Sequence, residues 1–374
     1  MLAKEGKILS QLVISEYRNI GRATLEFSPQ QNIFIGQNAH GKTNLLEAIY
    51  LLATGRSFRT LHLDDVFPWS GGAPRAQGFF KENHRDLTIE VELTQARRVA
   101  RVNGAEKARL TELLGLLQVI EILPQDILLI DGEPSRRRRF LDIAISQWDP
   151  RYYSHLLKYQ QGLRQRNRAL QQHLDFEREK VRIWNKILEE NGSYIVWQRK
   201  RVVKLLNEKM GQIYPGMTER GETAHVSYRT FCQGESLGEI SNDFCNALLE
   251  GESRDLSVGF STIGPHRDDL TFTIQGKETK SFASEGQKRS LVIALKLSLG
   301  VFLKEVEGKN PIFILDDVLT QLDDNRRRGL MRALNPYQSF FSITSIEFHR
   351  DLIPDGKWFK VKDGQYEEFT PELV

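Results

Sequence analysis

The sequence predicts an α/β protein in which mixed sheets surround one glycine-bounded helix and a mainly helical second lobe is inserted. A short apolar strand at 32–35 runs through a glycine-containing loop into a helix closed by Gly55. A second apolar strand, at 311–315, ends in two carboxylates and has the continuous hydrophobicity of strands buried in parallel sheets. Between them, residues 125–215 have helical spacing and little glycine.

Composition limits the class of protein before any motif is considered. A chain of 374 residues suits two lobes, and an apolar content of 40% supports a sizeable core. The net charge of only +3 does not by itself indicate nucleic-acid binding. Two cysteines, Cys232 and Cys245, lack a matching histidine pair, which argues against zinc and fits a reducing compartment. The chain has no signal-peptide pattern and no long apolar run, so we expect a cytoplasmic protein that does not enter a membrane.

The patterns predict a discontinuous head interrupted by an insert. Residues 1–123 and 258–374 are predicted to form the head, and residues 124–257 a mainly helical insert or arm. Within the head, 8–35 is strand-like, and the partial alternation of 76–103 predicts the strands of a second sheet.

The segment GQNAHGKT satisfies the phosphate-loop pattern G-x-x-x-x-G-K-[ST] and lies between a predicted strand and a predicted helix. Its backbone N–H groups would face phosphate oxygens, and the helix start adds partial positive charge. Lys42 would reach the β- and γ-phosphates of ATP, and Thr43 would hold Mg²⁺. The alternative is a glycine turn with a surface lysine. The predicted nucleotide-contacting residues here are Gly36, Gln37, Asn38, Ala39, His40, Gly41, Lys42, Thr43 and Asn44.

The segment PIFILDD predicts a strand that delivers two carboxylates to the same site. Asp316 would bind Mg²⁺, and Asp317, the predicted catalytic residue together with Lys42, would orient the attacking water. Taken alone, the pattern would fit a buried strand followed by a solvated Asp-Asp turn.

The segment SEGQ lies at the start of a predicted helix over 284–300. Ser284 suits a helix N-cap, and a helix start binds anions, although a capped core helix has the same pattern. The order of phosphate loop, long insert, Ser-x-Gly-Gln helix and acidic strand is that of ABC-type ATPases. In those proteins two heads enclose two ATP molecules, so Ser284 and Gly286 are predicted to contact a γ-phosphate held by a second copy.

On these motifs the chain resembles the RecF family of SMC-like ABC ATPases over nearly its whole length. The resemblance implies an ABC-type ATPase head, and it distinguishes the chain from longer SMC relatives, which carry long coiled coils. The stretches that carry it are LVISEYRNI, GQNAHGKTNLLEAIYLLATGRSFRT, ILPQDILLIDGEPSRRRRFLD, STIGPHRDDL, FASEGQKRS and ILDDVLTQLD.

The resemblance implies a weak Mg²⁺-dependent ATPase that forms a homodimer on ATP and acts in DNA repair, replication, recombination and the SOS response. The family's partners are double-stranded DNA, single-strand/duplex junctions, RecR and RecO, which together assist recombinase loading at single-strand gaps. Alternatives are a scaffold that binds ATP with incidental hydrolysis, and the nucleotide-binding subunit of an ABC transporter, which would require a membrane partner.

The resemblance also implies roles for individual residues. Lys42 and Thr43 would be the Walker A pair, Asp316 the Walker B carboxylate and Asp317 the catalytic group. The signature would comprise Ser284, Gly286 and Gln287, with Asp323 ending the D-loop and Arg18 and Asn19 as candidates for holding adenine. Two departures are Gln125, where the family usually has Glu, and a switch loop with Ser342 and Ser345, in which Thr344 or Ser345 would sense the γ-phosphate.

Basic residues are concentrated in the predicted insert. Between Arg136 and Lys204 there are 17 Lys and Arg against 7 Asp and Glu, an excess of ten in a chain whose total is +3. This indicates either a solvated arm or contacts to DNA phosphates with little sequence preference. The residues predicted to contact DNA are Arg56, Arg59, Arg136, Arg137, Arg138 and Arg139, although Arg56 and Arg59 could face a partner head. His266 and Arg267 could orient nucleotide or serve local structure.

Overall fold

The computed structural model describes residues 6–60, 62–69, 71–82, 85–171, 177–218, 221–345, 352–353 and 355–371. The chain divides into two compact units, and several segments contribute to each. The first unit comprises Met1–Asp126, Gln212–Glu222 and Glu285–Val374, and the second comprises Ile127–Gly211 and Thr223–Ser284. None of the helices within the described ranges combines the length and apolar character needed to cross a bilayer.

The strands and helices are numbered in chain order. The strands are β1 (Ile8–Tyr17), β2 (Ile20–Glu26), β3 (Gln31–Ile35), β4 (Arg75–Glu82), β5 (Arg85–Leu93), β6 (Arg98–Val102), β7 (Ala105–Lys107), β8 (Val119–Ile122), β9 (Ala224–Arg229), β10 (Asp269–Ile274), β11 (Lys277–Glu278), β12 (Ile312–Asp316), β13 (Ser339–Ile343), β14 (Lys357–Lys362) and β15 (Gln365–Phe369). The α-helices are α1 (Lys42–Thr54), α2 (Leu128–Asp131), α3 (Pro134–Ser146), α4 (Pro150–Gln171), α5 (Glu177–Ile213), α6 (Leu237–Glu250), α7 (Glu252–Val258), α8 (Thr279–Phe282), α9 (Glu285–Glu307) and α10 (Asp324–Leu334).

The first unit contains an antiparallel sheet with the strand order β2-β1-β4-β5-β6-β7. In β1 the buried residues, among them Leu12 and Ile14, alternate with less buried ones, as expected for a sheet with one face on a core. The prediction that 76–103 forms a sheet separate from 8–35 is wrong for β1 and β2, because β1 pairs directly with β4, for example Ile14 with Ala76. Pairing between segments so distant in sequence leaves no local pattern.

The second sheet of this unit is mainly parallel, with the order β15-β14-β3-β13-β12-β8. All its neighbouring strands are parallel except the β14–β15 hairpin. The apolar residues of β12 are buried, which is the reason for the continuous hydrophobic run in the sequence. Asp316 pairs in register with Ser342, and Ile35 with Ile343, so the carboxyl ends of β3, β12 and β13 lie at one edge.

Helix α1 lies between the two sheets and contacts strands of both. Residues 45–54 are all buried, and the helix is bounded by Gly41 and Gly55, with φ angles of 111° and 65°. Glycine adopts these left-handed conformations without steric cost. The predicted arrangement of mixed sheets around the phosphate-loop helix is therefore confirmed.

The second unit is mainly helical but also contains a three-stranded antiparallel sheet, β11-β10-β9. Strand β9 lies inside the segment predicted to be helical, and it pairs with β10, for example Tyr228 with Leu270. Residues 258–284, predicted to belong to the head, are therefore part of this unit, whose limits differ from the predicted 124–257. The pairing of β9 with β10 across about 40 residues is a tertiary feature that helical periodicity could not reveal.

Candidate nucleotide-binding site

A cavity of about 850 Å³ opens at the carboxyl edge of the parallel sheet, within the first unit. It brings together most of the predicted nucleotide and metal residues: Arg18, Asn19, Asn38, Ala39, Gly41, Lys42, Thr43, Asn44, Asp316 and Asp317. Gly36, Gln37 and His40 are not among the described residues that line it. The volume is within the range of small-molecule and cofactor sites.

The phosphate loop has the backbone strain and close packing that its glycines allow. Ala39 and Gly41 have positive φ angles of 69° and 111°. A Cβ on Gly36 would lie 2.2 Å from the Val361 carbonyl oxygen, so no larger residue fits there without a backbone shift. The loop's shape is therefore fixed by contact with β14 as well as by its own sequence.

The β14–β15 turn supports the loop from outside the motif. The Gly364 N–H donates to the His40 carbonyl (2.9 Å), and the Asp363 N–H donates to Nδ1 of His40 (2.9 Å). The Tyr366 hydroxyl donates to the Gly41 carbonyl (2.9 Å). Sequence reasoning missed these three residues, which lie more than 300 positions away and form no motif.

Lys42 is buried and its ammonium group points back along the loop. Nζ donates to the carbonyls of Gly36 (2.6 Å) and Gln37 (2.9 Å). Burial lowers the pKa of Lys42, an effect that the neighbouring Asp316 and Asp317 carboxylates oppose. A lysine held inside a loop of N–H donors supplies a compact positive charge for phosphate oxygens.

Thr43 and the end of β12 form a cluster of oxygen ligands. The Thr43 hydroxyl lies 2.8 and 3.0 Å from the two carboxylate oxygens of Asp316. Ser342, on the adjacent strand β13, donates from Oγ to Asp316 Oδ1 (2.6 Å). Thr344 and Ser345, which were predicted to sense the γ-phosphate, are absent from the described lining of the cavity, whereas Ser342 is part of it. The strand register decides this, since Ser342 is the residue opposite Asp316.

Asp317 occupies a strained and unsatisfied position beside this cluster. Its φ is 53°, and its N–H donates to the Ser342 hydroxyl (2.9 Å). Its Oδ1 atom is buried and has no hydrogen-bond partner among the described residues. Partial burial raises the pKa of Asp317, and nearby Asp316 adds to the rise while Lys42 opposes it. A carboxylate oxygen held this way can accept a proton from, or orient, a water molecule.

Arg18 and Asn19 both line the cavity but in different ways. The Arg18 guanidinium donates from Nε (2.5 Å) and Nη2 (2.8 Å) to Glu47, a fully buried residue of α1, and from Nη1 to the Asp65 carbonyl (2.8 Å). All three of its nitrogens are thus engaged, which makes Arg18 a positioning residue. The Asn19 amide donates to the Ala39 carbonyl (3.1 Å) and joins the β1–β2 turn to the phosphate loop.

Arg59 belongs to the cavity, whereas Arg56 does not line it. Arg59 Nη1 donates to Asn44 Oδ1 (2.6 Å), and Asn44 Nδ2 donates to Asn19 Oδ1 (2.7 Å). Asn44 holds the Arg59 side chain at the cavity, but Arg59 is exposed, so a contact with DNA or a partner head stays a prediction for both arginines. Arg56 is half-buried just after α1.

The predicted signature segment spans the boundary between the two units, with Ser284 in the second unit and Gly286 and Gln287 in the first. Ser284 is exposed immediately before α9. Gly286 lies against Arg326, whose Nη1 would be 2.8 Å from an added Cβ, and Arg326 forms an ion pair with Asp323 (2.6 Å). Gly286 and Gln287 are absent from the described lining of the cavity.

The segment 124–126, which departs from the family pattern at Gln125, forms a hydrogen bond with α9, the helix that begins in the predicted signature. Pro124 lines the cavity, Gln125 is exposed, and Asp126 accepts a hydrogen bond from the buried Lys296 of α9 (2.6 Å). Burial raises the pKa of Asp126, although the Lys296 ammonium opposes this shift.

The four consecutive arginines 136–139 have different surroundings. Arg137 is buried and forms a bidentate ion pair with Asp269 (2.6 and 2.9 Å), and Arg138 donates to the Asp268 carbonyl (3.0 Å). Arg137 is therefore removed from any surface that DNA could reach, which corrects that prediction. Arg136 and Arg139 are exposed.

His266 serves local structure in the second unit. It lies 2.6 Å from the Tyr159 hydroxyl and 3.1 Å from the Ser261 carbonyl, and Arg267 donates to that same carbonyl (3.3 Å). Burial lowers the pKa of His266 to about 4, so the ring is neutral at physiological pH.

Comparison with known proteins places this geometry in a family. The model described as the RecF/RecN/SMC N terminal domain matches residues 8–350. A protein of Lysinibacillus sphaericus named DNA replication and repair protein RecF is 33% identical over 368 residues, covering 96% of this chain and 99% of that protein. This chain belongs to the RecF family.

Other RecF proteins and solved structures agree in sequence and fold. The protein of the same name from Streptococcus thermophilus strain LMD-9 is 34% identical over 95% of this chain and 97% of its own length. The structure of the recombination mediator protein RecF-ATPrS in the RecFOR pathway superposes with a TM-score of 0.90 at 30% identity, covering 99% of this chain and all of the other. The Smc head domain from Pyrococcus furiosus, at 15% identity and a TM-score of 0.57 over 97% of this chain and 96% of that one, shares the fold. The predicted ABC-type head with a helical second lobe is thus confirmed.

Proposed function

We propose that this chain is a RecF-type, ATP-dependent DNA-binding repair protein. ATP would bind in the cavity of the first unit and bring two copies together on duplex or gapped DNA, and slow hydrolysis would release them. The observation that carries the proposal is the convergence of Lys42, Thr43, Asp316 and Asp317 on one cavity at the carboxyl edge of a parallel sheet. A related RecF structure contains ATP, which supports the same ligand here.

The residues present fit a Mg²⁺ ion beside the nucleotide. The Thr43 hydroxyl and the Asp316 carboxylate are hard oxygen ligands of the kind that Mg²⁺ binds together with substrate phosphates. When bound, the ion would neutralise charge that develops on the phosphates. Ser342 keeps the Asp316 carboxylate oriented, and the unpaired Oδ1 of Asp317 is available to orient the attacking water.

The signature helix would complete the site of a second copy. Gly286 and Gln287 are absent from their own chain's described cavity lining, and Ser284 is exposed at the start of α9. A helix start of this kind offers N–H donors to an anion. Dimerisation on ATP would therefore bring Ser284 and Gly286 to the partner's γ-phosphate.

Helix α4 offers the best surface for the DNA backbone. It contains five Lys and Arg and no Asp or Glu. Arg151, Lys158, Arg164 and Arg168 are all exposed, opposite the face that buries Tyr152 and Leu156. Such a stripe, with the exposed Arg136 and Arg139, would contact phosphates without reading bases. RecR and RecO are proposed partners because the related structures belong to the RecFOR pathway.

The experiment that tests the proposal is fluorescence anisotropy of a labelled duplex, titrated with protein with and without Mg²⁺-ATP. Asp317→Asn blocks hydrolysis, and Ser284→Arg blocks closure. We expect ATP to tighten binding in Asp317→Asn and Ser284→Arg to abolish the gain. Binding that ignores both ATP and Ser284 would instead favour DNA contacts made by single subunits and a nucleotide that regulates partner recruitment.

Salt dependence tests the DNA surface separately. Replacing Arg151, Lys158, Arg164 and Arg168 with Gln should lower the slope of log K against log salt by about 2 to 4. The exposed Lys360 and Lys362 of β14, replaced in the same way, serve as the matched control. Affinities that differ more than about tenfold between unrelated duplexes would contradict backbone recognition.

A further inference from the structure

A tryptophan at the rim of the nucleotide cavity is fully exposed. Trp69 has a relative exposure of 105%, although it follows directly on Phe67 and Pro68, which also line the cavity. Single exposed apolar residues are common on protein surfaces, so exposure alone says little. Trp69 differs from such residues because it is part of the lining of the cavity.

The cavity has a polar end and an apolar end. Lys42, Thr43 and the two carboxylates of 316–317 form the polar end, where phosphates and a metal ion would bind. The apolar wall comprises Ile20, Phe67, Pro68 and Trp69, and the carboxyl-bearing residues Glu16 and Asp65 also line the cavity. A nucleotide has the same polarity, because charged phosphates lie at one end and an aromatic base at the other.

Hydrogen bonds fix the order of these parts along the cavity. Asn19 bonds to the Ala39 carbonyl, so the β1–β2 turn lies beside the phosphate loop. The Arg18 N–H donates to the Val66 carbonyl (2.9 Å), and its guanidinium to the Asp65 carbonyl, so the 65–69 segment lies beside that turn. Along the cavity, the phosphate loop is therefore followed by the β1–β2 turn and then by the aromatic segment. This is the order in which phosphate, sugar and base follow one another in a nucleotide.

The aromatic segment is anchored on one side and free at its tip. Phe67 packs against the core of the first unit, and Arg18 holds Asp65 and Val66 through the bonds above. Trp69 extends beyond this anchor. An aromatic ring on a fixed segment can bind a planar base at low entropic cost.

We propose that Trp69 stacks on the base of the bound nucleotide and is a binding residue of this site. The inference rests on the proposed binding of ATP in this cavity. Stacking on an indole accepts any base, because each base has a π face.

The test compares Trp69→Ala and Trp69→Phe by calorimetric titration with Mg²⁺-ATP and with Mg²⁺-tripolyphosphate, which lacks base and sugar. Trp69→Ala should weaken ATP binding by about tenfold, the order found when base-stacking aromatics are replaced by alanine. Trp69→Phe should stay within about threefold of the unmodified chain because it keeps a ring. Tripolyphosphate affinity should be the same in all three proteins.

A second readout uses fluorescence. The chain has five tryptophans, and ATP should quench part of the emission in the unmodified protein but not in Trp69→Phe. Unchanged ATP affinity in Trp69→Ala overturns the inference, as does an equal loss of ATP and tripolyphosphate binding, which would mean that the residue only shapes the loop. Normal ATP affinity with lost dimerisation would assign Trp69 to a contact between copies instead. If the unmodified chain binds no ATP, the proposed function itself has failed.

Discussion

Replacing Arg18 with Met should destabilise the first unit strongly. Glu47 is fully buried in α1, and its carboxylate accepts hydrogen bonds from Arg18 and Ser57. Met fills a similar volume but leaves the carboxylate charged and without its cation. The substitution also removes the hydrogen bond that connects Arg18 to the Asp65 carbonyl.

The magnitude follows from how deeply the pair is buried. The Glu47 side chain is 0% exposed and that of Arg18 is 17% exposed, so solvent screens the pair weakly. Removing one partner of a buried ion pair costs about 3–5 kcal/mol, most of it from the uncompensated charge. For a unit of this size, that loss should lower the melting temperature by about 10 °C. Adding Glu47→Gln removes the buried charge and should recover at least about half of the loss.

Differential scanning calorimetry of the full chain measures this effect, because unfolding of two units can give separate transitions. Arg22→Met is the matched control, since Arg22 is exposed on β2 and its loss should change stability by less than about 0.5 kcal/mol. The reasoning is refuted if Arg18→Met behaves like this control. It is also refuted if Arg18→Met/Glu47→Gln is no more stable than Arg18→Met alone.

Three further changes test other parts of the structure. Burial raises the pKa of Asp268 from 3.8 to about 6, so its protonated form stabilises the folded state at low pH. As pH rises from about 4 to 6, the unmodified chain should lose up to about 3 kcal/mol of stability relative to Asp268→Asn. Urea unfolding at several pH values measures this difference, and a free energy of unfolding that changes equally with pH in both proteins would contradict the prediction. Ser342→Ala should slow ATP hydrolysis about 10- to 100-fold with little change in ATP affinity, because the Asp316 and Asp317 positions loosen. Ser339→Ala, on the same buried strand, is the control, and equal rates in both variants would exclude the positioning role. Gly36→Ala places a Cβ 2.2 Å from a backbone carbonyl and should cost about 1–3 kcal/mol in thermal unfolding. Gly21→Ala meets nothing within 4 Å and should be nearly neutral, so similar losses in the two glycine variants would show that the contact is not the cause.

The nucleotide site could be predicted from the sequence to the extent that it is built from short segments. The phosphate loop must curl and then start a helix, which requires glycines and Lys42-Thr43 at fixed spacing. A strand buried in a parallel sheet must be continuously apolar, so the carboxylates of 316–317 stand out at its end. Local backbone geometry and burial restrict which residue types can follow one another in these segments. These local patterns were therefore sufficient to predict the fold class and the residues that converge on the cavity.

The sequence alone determined this local chemistry, and only the tertiary structure decided which distant partners complete it. Ser342 became a site residue because strand register places it opposite Asp316. Arg137 left the predicted DNA surface because it pairs with Asp269, 132 positions away. Trp69 became a candidate for binding the base because Arg18 donates hydrogen bonds to the Asp65 and Val66 carbonyls and so places the segment that carries Trp69 at the cavity. Such contacts depend on pairing and packing between segments that are distant in the sequence. The entropic cost of bringing these segments together is offset by interactions across the whole fold, so the contacts leave no pattern in neighbouring residues.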